Sequence, residues 1–274
     1  MLRGRTSVWK TLGHFQFPFH PSPNSGGLWR RLTRLEAGVA ALRRVQANLK
    51  RYRAAVLKAA CEGRLVPTEA EKWTTTTIAE SVQIIDYRGR TPPFSEAGIP
   101  HLRSQNIRHG RIVWADLAFV TAENYDAFMT RGIPQEGDLL FTTEAPMGEV
   151  ALAPKEKFSV AQRIMILRTV PGFLNSRFLM IQLRSPEFQS RLRKSGTGST
   201  VTGVSSRNFQ PMTLLVPPLA EQTRIVAEVE RRLSVVEELE SVVTANLQRA
   251  TRLRQSILQK AFTGELRADA PLVS

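Results

Sequence analysis

Residues 51–65 read RYRAAVLKAACEGRL and residues 252–266 read RLRQSILQKAFTGEL. At one constant offset, Arg51/Arg252, Arg53/Arg254, Leu57/Leu258, Ala60/Ala261, Gly63/Gly264 and Leu65/Leu266 are identical, and Val56/Ile257 is conservative. Each copy stops at a glycine, the residue that accepts the left-handed conformation closing a helix. Ahead of the second copy, Ile225, Val229, Arg232, Val236, Leu239, Val243, Asn246, Ala250, Leu253 and Ile257 alternate steps of four and three, the spacing of a coiled-coil seam. A helix over 219–261 spans on the order of 60 Å at 1.5 Å per residue, more than a small core needs. Asn246 on this seam is expected to fix register by hydrogen-bonding a partner helix. The first copy ends a similar helix over 30–62, with Leu32, Leu35, Val39, Leu42, Leu49 and Val56 on one face and Gln46 and Arg53 interrupting it. Gly63 caps it and Pro67 forbids continuation. Two similar helices thus bracket a different middle.

That middle, 73–216, is punctuated by Pro92-Pro93, Gly98-Ile-Pro100, His109-Gly110, Gly132-Ile-Pro134, Glu136-Gly-Asp138 and Pro146. Short β-type runs lie between these signals at 82–85, 111–114, 139–142, 149–152 and 163–168. Residues 174–194 have helical periodicity broken at Pro186. The fold class expected is α+β: one globular domain flanked by two long antiparallel coiled-coil helices. The chain divides into a poorly ordered basic leader (1–29), a first helix with its linker (30–72), the globular domain (73–216), a second helix (217–267) and a tail (268–274).

The formal net charge is +14, and residues 1–60 carry twelve Lys or Arg against one acid, Glu36. A surface serving only solubility mixes both signs, so this imbalance points to a polyanion, most often nucleic acid. No run of about 18 apolar residues occurs, so no membrane-spanning helix is expected. The single cysteine, Cys61, excludes an internal disulfide framework and suits a reducing cytoplasm. It stands where the second copy has Phe262, and reads as a packing residue rather than a nucleophile. His14, His20, His101 and His109 have no metal-ligand spacing. Lys194-Ser-Gly-Thr-Gly-Ser-Thr200 lacks the phosphate-loop spacing of a nucleotide site. Asp138 and Glu144 have no third group with nuclease spacing, so Asp138 is read as a turn residue.

Several phrases, in order, resemble the specificity subunits of type I restriction-modification systems. VPPLAEQTRIVAEVE (216–230) and LRQSILQKAFTGEL (253–266) are similar to their C-terminal conserved region, and 35–67 to their central one. GRTPP (89–93), GIPHLRSQNIRHGRI (98–112), EGDLLFT (136–142), QRIMILR (162–168) and SGTGSTVTGVSSRNFQPMTLLVPPL (195–219) follow the order of a target-recognition domain. Full-length members carry two such domains and two spacers, whereas one domain is visible here.

The resemblance implies a non-catalytic subunit that reads half of a bipartite site in double-stranded DNA. It also implies docking of methyltransferase and restriction subunits, and a second copy or second half-subunit to complete the site. It assigns no cofactor to this chain; S-adenosylmethionine, ATP and Mg would belong to the partner subunits. The alternatives are a stand-alone DNA-binding or regulatory protein, an adaptor built on the coiled coil, and an inactive remnant of a split gene. Candidate DNA-contacting residues are Arg103, Ser104, Gln105, Asn106 and Arg108, then Gln162 and Arg163, then Lys194, Ser195, Gly196, Thr197, Ser199 and Thr200. Arg pairs with guanine, and Asn or Gln with adenine, through matched donors and acceptors. Asn106 has the competing role of capping a turn, which its place in a phrase shared by readers of different sequences favours. The spacer and subunit-contact candidates are Leu35, Val39, Leu42, Leu49, Val56, Ile225, Val229, Val236, Leu239, Val243, Asn246, Leu253 and Ile257.

Overall fold

The computed structural model describes residues 26–196 and 203–263. The chain divides into two compact units, Met1–Ala47 with Ser241–Ser274, and Asn48–Glu240. Two long helices, α1 (Gly26–Cys61) and α7 (Leu219–Phe262), each supply part of both units. Helix α1 begins four residues earlier than the periodicity predicts, because half-buried Leu28 extends the apolar stripe through Leu32 and Leu35. Its end is a Schellman closure: Gly63 has φ +67° and Arg64 N donates to Ala59 O at 2.9 Å.

Between the helices, in chain order, lie β1 (Thr74–Thr77), α2 (Ile78–Ser81), β2 (Val82–Asp86), β3 (Ile99–Leu102), β4 (Ile107–Arg108), β5 (Arg111–Ile112), β6 (Ala118–Val120), α3 (Ala122–Phe128), β7 (Leu139–Thr142), β8 (Val150–Leu152), β9 (Ser159–Val160), β10 (Ile164–Thr169), α4 (Ser176–Arg184), α5 (Pro186–Ser195), α6 (Ser206–Phe209) and β11 (Thr213–Val216). The central sheet runs β2-β10-β7-β8, all antiparallel. A smaller sheet, β6-β3-β9, pairs β3 with β9 in parallel. Strand β1 joins β11, and β4 joins β5.

The central strands read as unbroken apolar runs because both sheet faces are covered. Ile85, Leu140, Ile164 and Ile166 join one core with Tyr87, Leu102, Tyr125 and Phe128. Phe141 meets Phe209 at 4.4 Å between ring centroids, and Phe188 packs edge-on to Phe209 at 6.3 Å. The predicted strand 111–114 is shorter, ending at Ile112, although Val113 N still donates to Asn106 O at 2.7 Å in the same antiparallel register. The helix predicted over 174–194 breaks at Ser185, whose hydroxyl accepts from Phe188 N and starts α5 one residue before Pro186.

In the 48–240 unit, α7 buries Ile225, Val226, Val229, Leu233 and Val236. This is wider than a two-residue seam because the helix lies against a domain. On α1, Leu49, Val56, Leu57 and Ala60 are buried, and Arg53 reaches Glu237 and Glu240 of α7 at 3.9 and 2.8 Å. In the other unit, Leu35, Val39 and Ala40 face Ala250 and Thr251 across an open groove of about 570 Å³. There Leu42 and Ile257 are half-buried and Val243 is buried. Leu239 is 45% exposed and Leu253 50%, so neither seam candidate is covered by the described residues of this chain. The Asn246 amide donates to Val242 O of its own helix at 3.0 Å.

Candidate nucleic-acid interface

Antiparallel pairing places the end of β2, the end of β7, the start of β8 and the start of β10 at the same end of the central sheet. The loops 86–90, 143–149 and 161–163 therefore emerge together. Residues 203–206 are stitched to them: Val204 N donates to Thr143 O at 3.0 Å, Thr143 N donates to Arg163 O at 2.9 Å, and Gly203 bridges Glu144. Gly203 suits this approach, because a Cβ there would lie 3.2 Å from Glu144 Cβ. Ser104 Oγ donates to Ala145 O at 3.1 Å and ties in the loop after β3. Candidates scattered over a hundred residues of sequence thus meet at one end of the domain.

Residues 103–108 are largely committed to the fold. Asn106 is buried; its Oδ1 accepts from Arg103 N at 3.0 Å, and its Nδ2 donates to Val113 O and Ala115 O at 3.1 and 2.9 Å. Arg108 Nη1 donates to Ser104 O and Ile107 O, both at 2.8 Å, and Arg103 Nη2 to Asp116 O at 2.6 Å. Ser104 is buried, and Gln105 alone of these candidates is exposed. Ser104 and Asn106 are therefore corrected from base-contacting candidates to supports of the loop. Burial, with Arg103 nearby, pulls the neighbouring His101 imidazole down to about 4.

The second group is more open. Arg163 Nε meets Glu144 Oε1 at 2.8 Å with 47% of its side chain exposed, and Gln162 is half-buried beside it. Lys194 is exposed at the end of α5. Ser195 Oγ donates to Leu192 O and its carbonyl accepts from Asn208 Nδ2; Gly196 is half-buried. Thr197, Ser199 and Thr200 lie outside the described residues.

Four residues had no sequence signal. Arg88 Nη2 donates to Asp86 Oδ2 at 2.8 Å and to Ser206 Oγ at 3.4 Å, and Ser206 Oγ donates to Asp86 Oδ2 at 3.2 Å. Arg207 follows, exposed. Only folding brings residues 86–88 to residue 206, so no local spacing announces them.

Among the described residues, no group of three or more His, Cys, Asp or Glu side chains gathers where a metal could sit. Asp138 lies elsewhere, accepting from Gln135 N in a turn and paired with Arg168. Burial pushes the Cys61 thiol up to about 12, away from thiolate chemistry.

The family model for the type I restriction modification DNA specificity domain matches residues 71–241. The specificity subunit of the type I restriction enzyme EcoKI, from Escherichia coli K12, is 28% identical over 256 residues, covering 86% of this chain and 54% of that one. The EcoBI specificity subunit of Escherichia coli is 27% identical over 261 residues, again covering 86% and 54%. The chain spans about half the length of these curated relatives. Among solved structures, one on the assembly and conformational transition of a type I R-M system aligns with TM-score 0.59 and 21% identity, covering 88% of this chain and 60% of that one. The HsdS subunit of Thermoanaerobacter tengcongensis aligns with TM-score 0.51 and 20% identity, covering 88% and 59%. These two alignments establish the shared fold.

Proposed function

The chain belongs to the type I restriction-modification DNA specificity family, and from that premise we propose that it is a non-catalytic DNA-recognition subunit reading one half of a bipartite site. The match over the recognition domain carries this reading. The basic balance supports it, because Lys and Arg give salt-dependent affinity for phosphate while the polar loop end supplies donors for base edges. Methyltransferase and restriction subunits are its proposed partners, and S-adenosylmethionine, ATP and Mg belong with them. The proposed site of action is the cytoplasm.

The second half of the site comes from another copy of this chain or from a second half-subunit. The internal repeat supports that pairing. Its first copy is covered by the recognition domain, with Val56 2%, Leu57 4% and Ala60 0% exposed. Their counterparts in the second copy, Ile257, Leu258 and Ala261, are only half-buried, and Phe262 beside them is 73% exposed. The same apolar phrase is thus less covered in one place than in the other.

Co-purification with the methyltransferase subunit encoded beside its gene, followed by methylation mapping, tests the reading. Marks at a two-part motif are expected, and a symmetric motif identifies self-pairing. A stable complex leaving no marks points to a missing half, and failure to form a complex overturns the subunit role in favour of a stand-alone binder or a remnant.

A further inference from the structure

The loop end of the central sheet holds two guanidiniums, each steadied by a carboxylate from its own neighbourhood. Arg88 is fixed by Asp86 and Ser206, and every hydrogen bond of its guanidinium among the described residues runs through Nη2. Nη1 is left unspent, and 38% of the side chain is exposed. Arg163 engages Glu144 through Nε, and neither of its terminal Nη groups is bonded to any described residue. The two sit on loops that the sheet register and the 203–206 segment bring together.

A guanidinium paired with a carboxylate is close to neutral as a unit. It therefore draws phosphate weakly and releases few counterions. It is also held in one orientation, so its donors lose less freedom on contact. Weak charge with fixed direction suits a base edge better than a phosphate. Guanine offers the match, with O6 and N7 as adjacent acceptors in the major groove: the two Nη groups of Arg163 can span both, and Nη1 of Arg88 can reach one. The exposed bases nearby, Arg193, Lys194 and Arg207, make no ion pair with any described residue and keep their full charge for the backbone.

Resting on the DNA-recognition reading above, we propose that Arg88 and Arg163 are specificity-determining residues that read guanine edges, with Asp86, Ser206 and Glu144 as their positioning residues. Phosphate grip falls to Arg207 and the end of α5.

The test is selection from a random-sequence duplex pool by the chain in complex with its methyltransferase subunit, followed by binding to the selected duplex and its single-base variants across a salt series. Arg88→Ala and Arg163→Ala are each expected to make the motif degenerate at G·C positions. Discrimination at those positions should fall about 5- to 150-fold while the salt slope holds. Arg207→Ala is expected to keep the motif and reduce the slope by about 0.9. Arg88→Lys retains the charge without the fork, so it should also lose discrimination; it carries the test if Arg88→Ala fails to fold. An unchanged motif in the Arg88 and Arg163 variants, with or without uniformly weaker binding, overturns the proposal. A wild-type complex that selects no motif overturns the DNA-recognition reading itself.

Discussion

Arg168 clasps Asp138 through two hydrogen bonds, Nε to Oδ1 at 3.0 Å and Nη2 to Oδ2 at 2.7 Å, with only 5% of the Asp138 side chain exposed. The same carboxylate accepts from Gln135 N at 2.8 Å, so it both makes the turn before β7 and anchors it to β10. This bonding also holds the Arg168 pKa above its ordinary value. Asp138→Ala strands a guanidinium and an amide together. The expected loss is about 2–4 kcal/mol, below the full penalty for a buried pair because Arg168 stays partly hydrated. Urea unfolding of the variant checks the figure. A loss of DNA preference at unchanged stability would instead make Asp138 part of the recognition site.

Asn106 serves three backbone groups at once, and that arrangement makes a distinct prediction. Asn106→Ala leaves two carbonyls and one amide unserved, which is expected to cost about 2–4 kcal/mol. Asn106→Asp keeps the acceptor for Arg103 N but replaces both donors, so it should be at least as damaging. Protein surviving either change should select the same DNA motif, measured by pool selection as above. An altered motif would return Asn106 to the reading surface.

The long helices and central strands were legible in the sequence because their signals are local. Period and caps lie within a few residues of each other, as in Ile225 to Val236 or Leu139 to Thr142. The short strands were not. The β1 segment TTTT and the two-residue strands carry no apolar run, and exist because a partner such as β11 or β3 lies beside them. The functional end was half legible. Arg163 stood out as a polar residue at a strand start, but the partnership of Arg88 with Ser206 spans 118 positions and has no local trace. At 103–108, richness in Arg, Gln and Asn says nothing of whether those donors are already spent, as they are for Asn106.

His101 sets a pH dependence. It is 1% exposed, its Nδ1 lies 2.7 Å from Ser159 Oγ, and burial draws its pKa from 6.5 to about 4. The folded protein keeps the ring neutral while the unfolded chain protonates near pH 6.5. The contribution is therefore complete above that pH, declines as pH falls from 6.5 toward 4, and is gone below the folded value. The loss from this group is about 3 kcal/mol. Denaturant unfolding at pH 7.5, 5.5 and 4 checks it, with His101→Asn expected to flatten that part of the profile. An identical slope in the variant would assign the acid sensitivity to other groups.

The last prediction concerns the uncovered copy of the repeat. Leu253 and Phe262 are large apolar side chains at 50% and 73% exposure, and Ile257 and Leu258 between them are only half-buried where their counterparts Val56 and Leu57 are buried. Covering a Leu or Phe fully is worth about 1.5–3 kcal/mol. If a second chain supplies the cover, Leu253→Ser with Phe262→Ser should weaken pairing by at least tenfold. The fold should hold, because groups already in water lose little on becoming polar. Light scattering over a concentration series measures the pairing, and circular dichroism confirms the helices. Pairing that survives both changes would place the interface on another face. A single-chain mass for the wild type at every concentration would exclude self-pairing and leave a second half-subunit as the required partner.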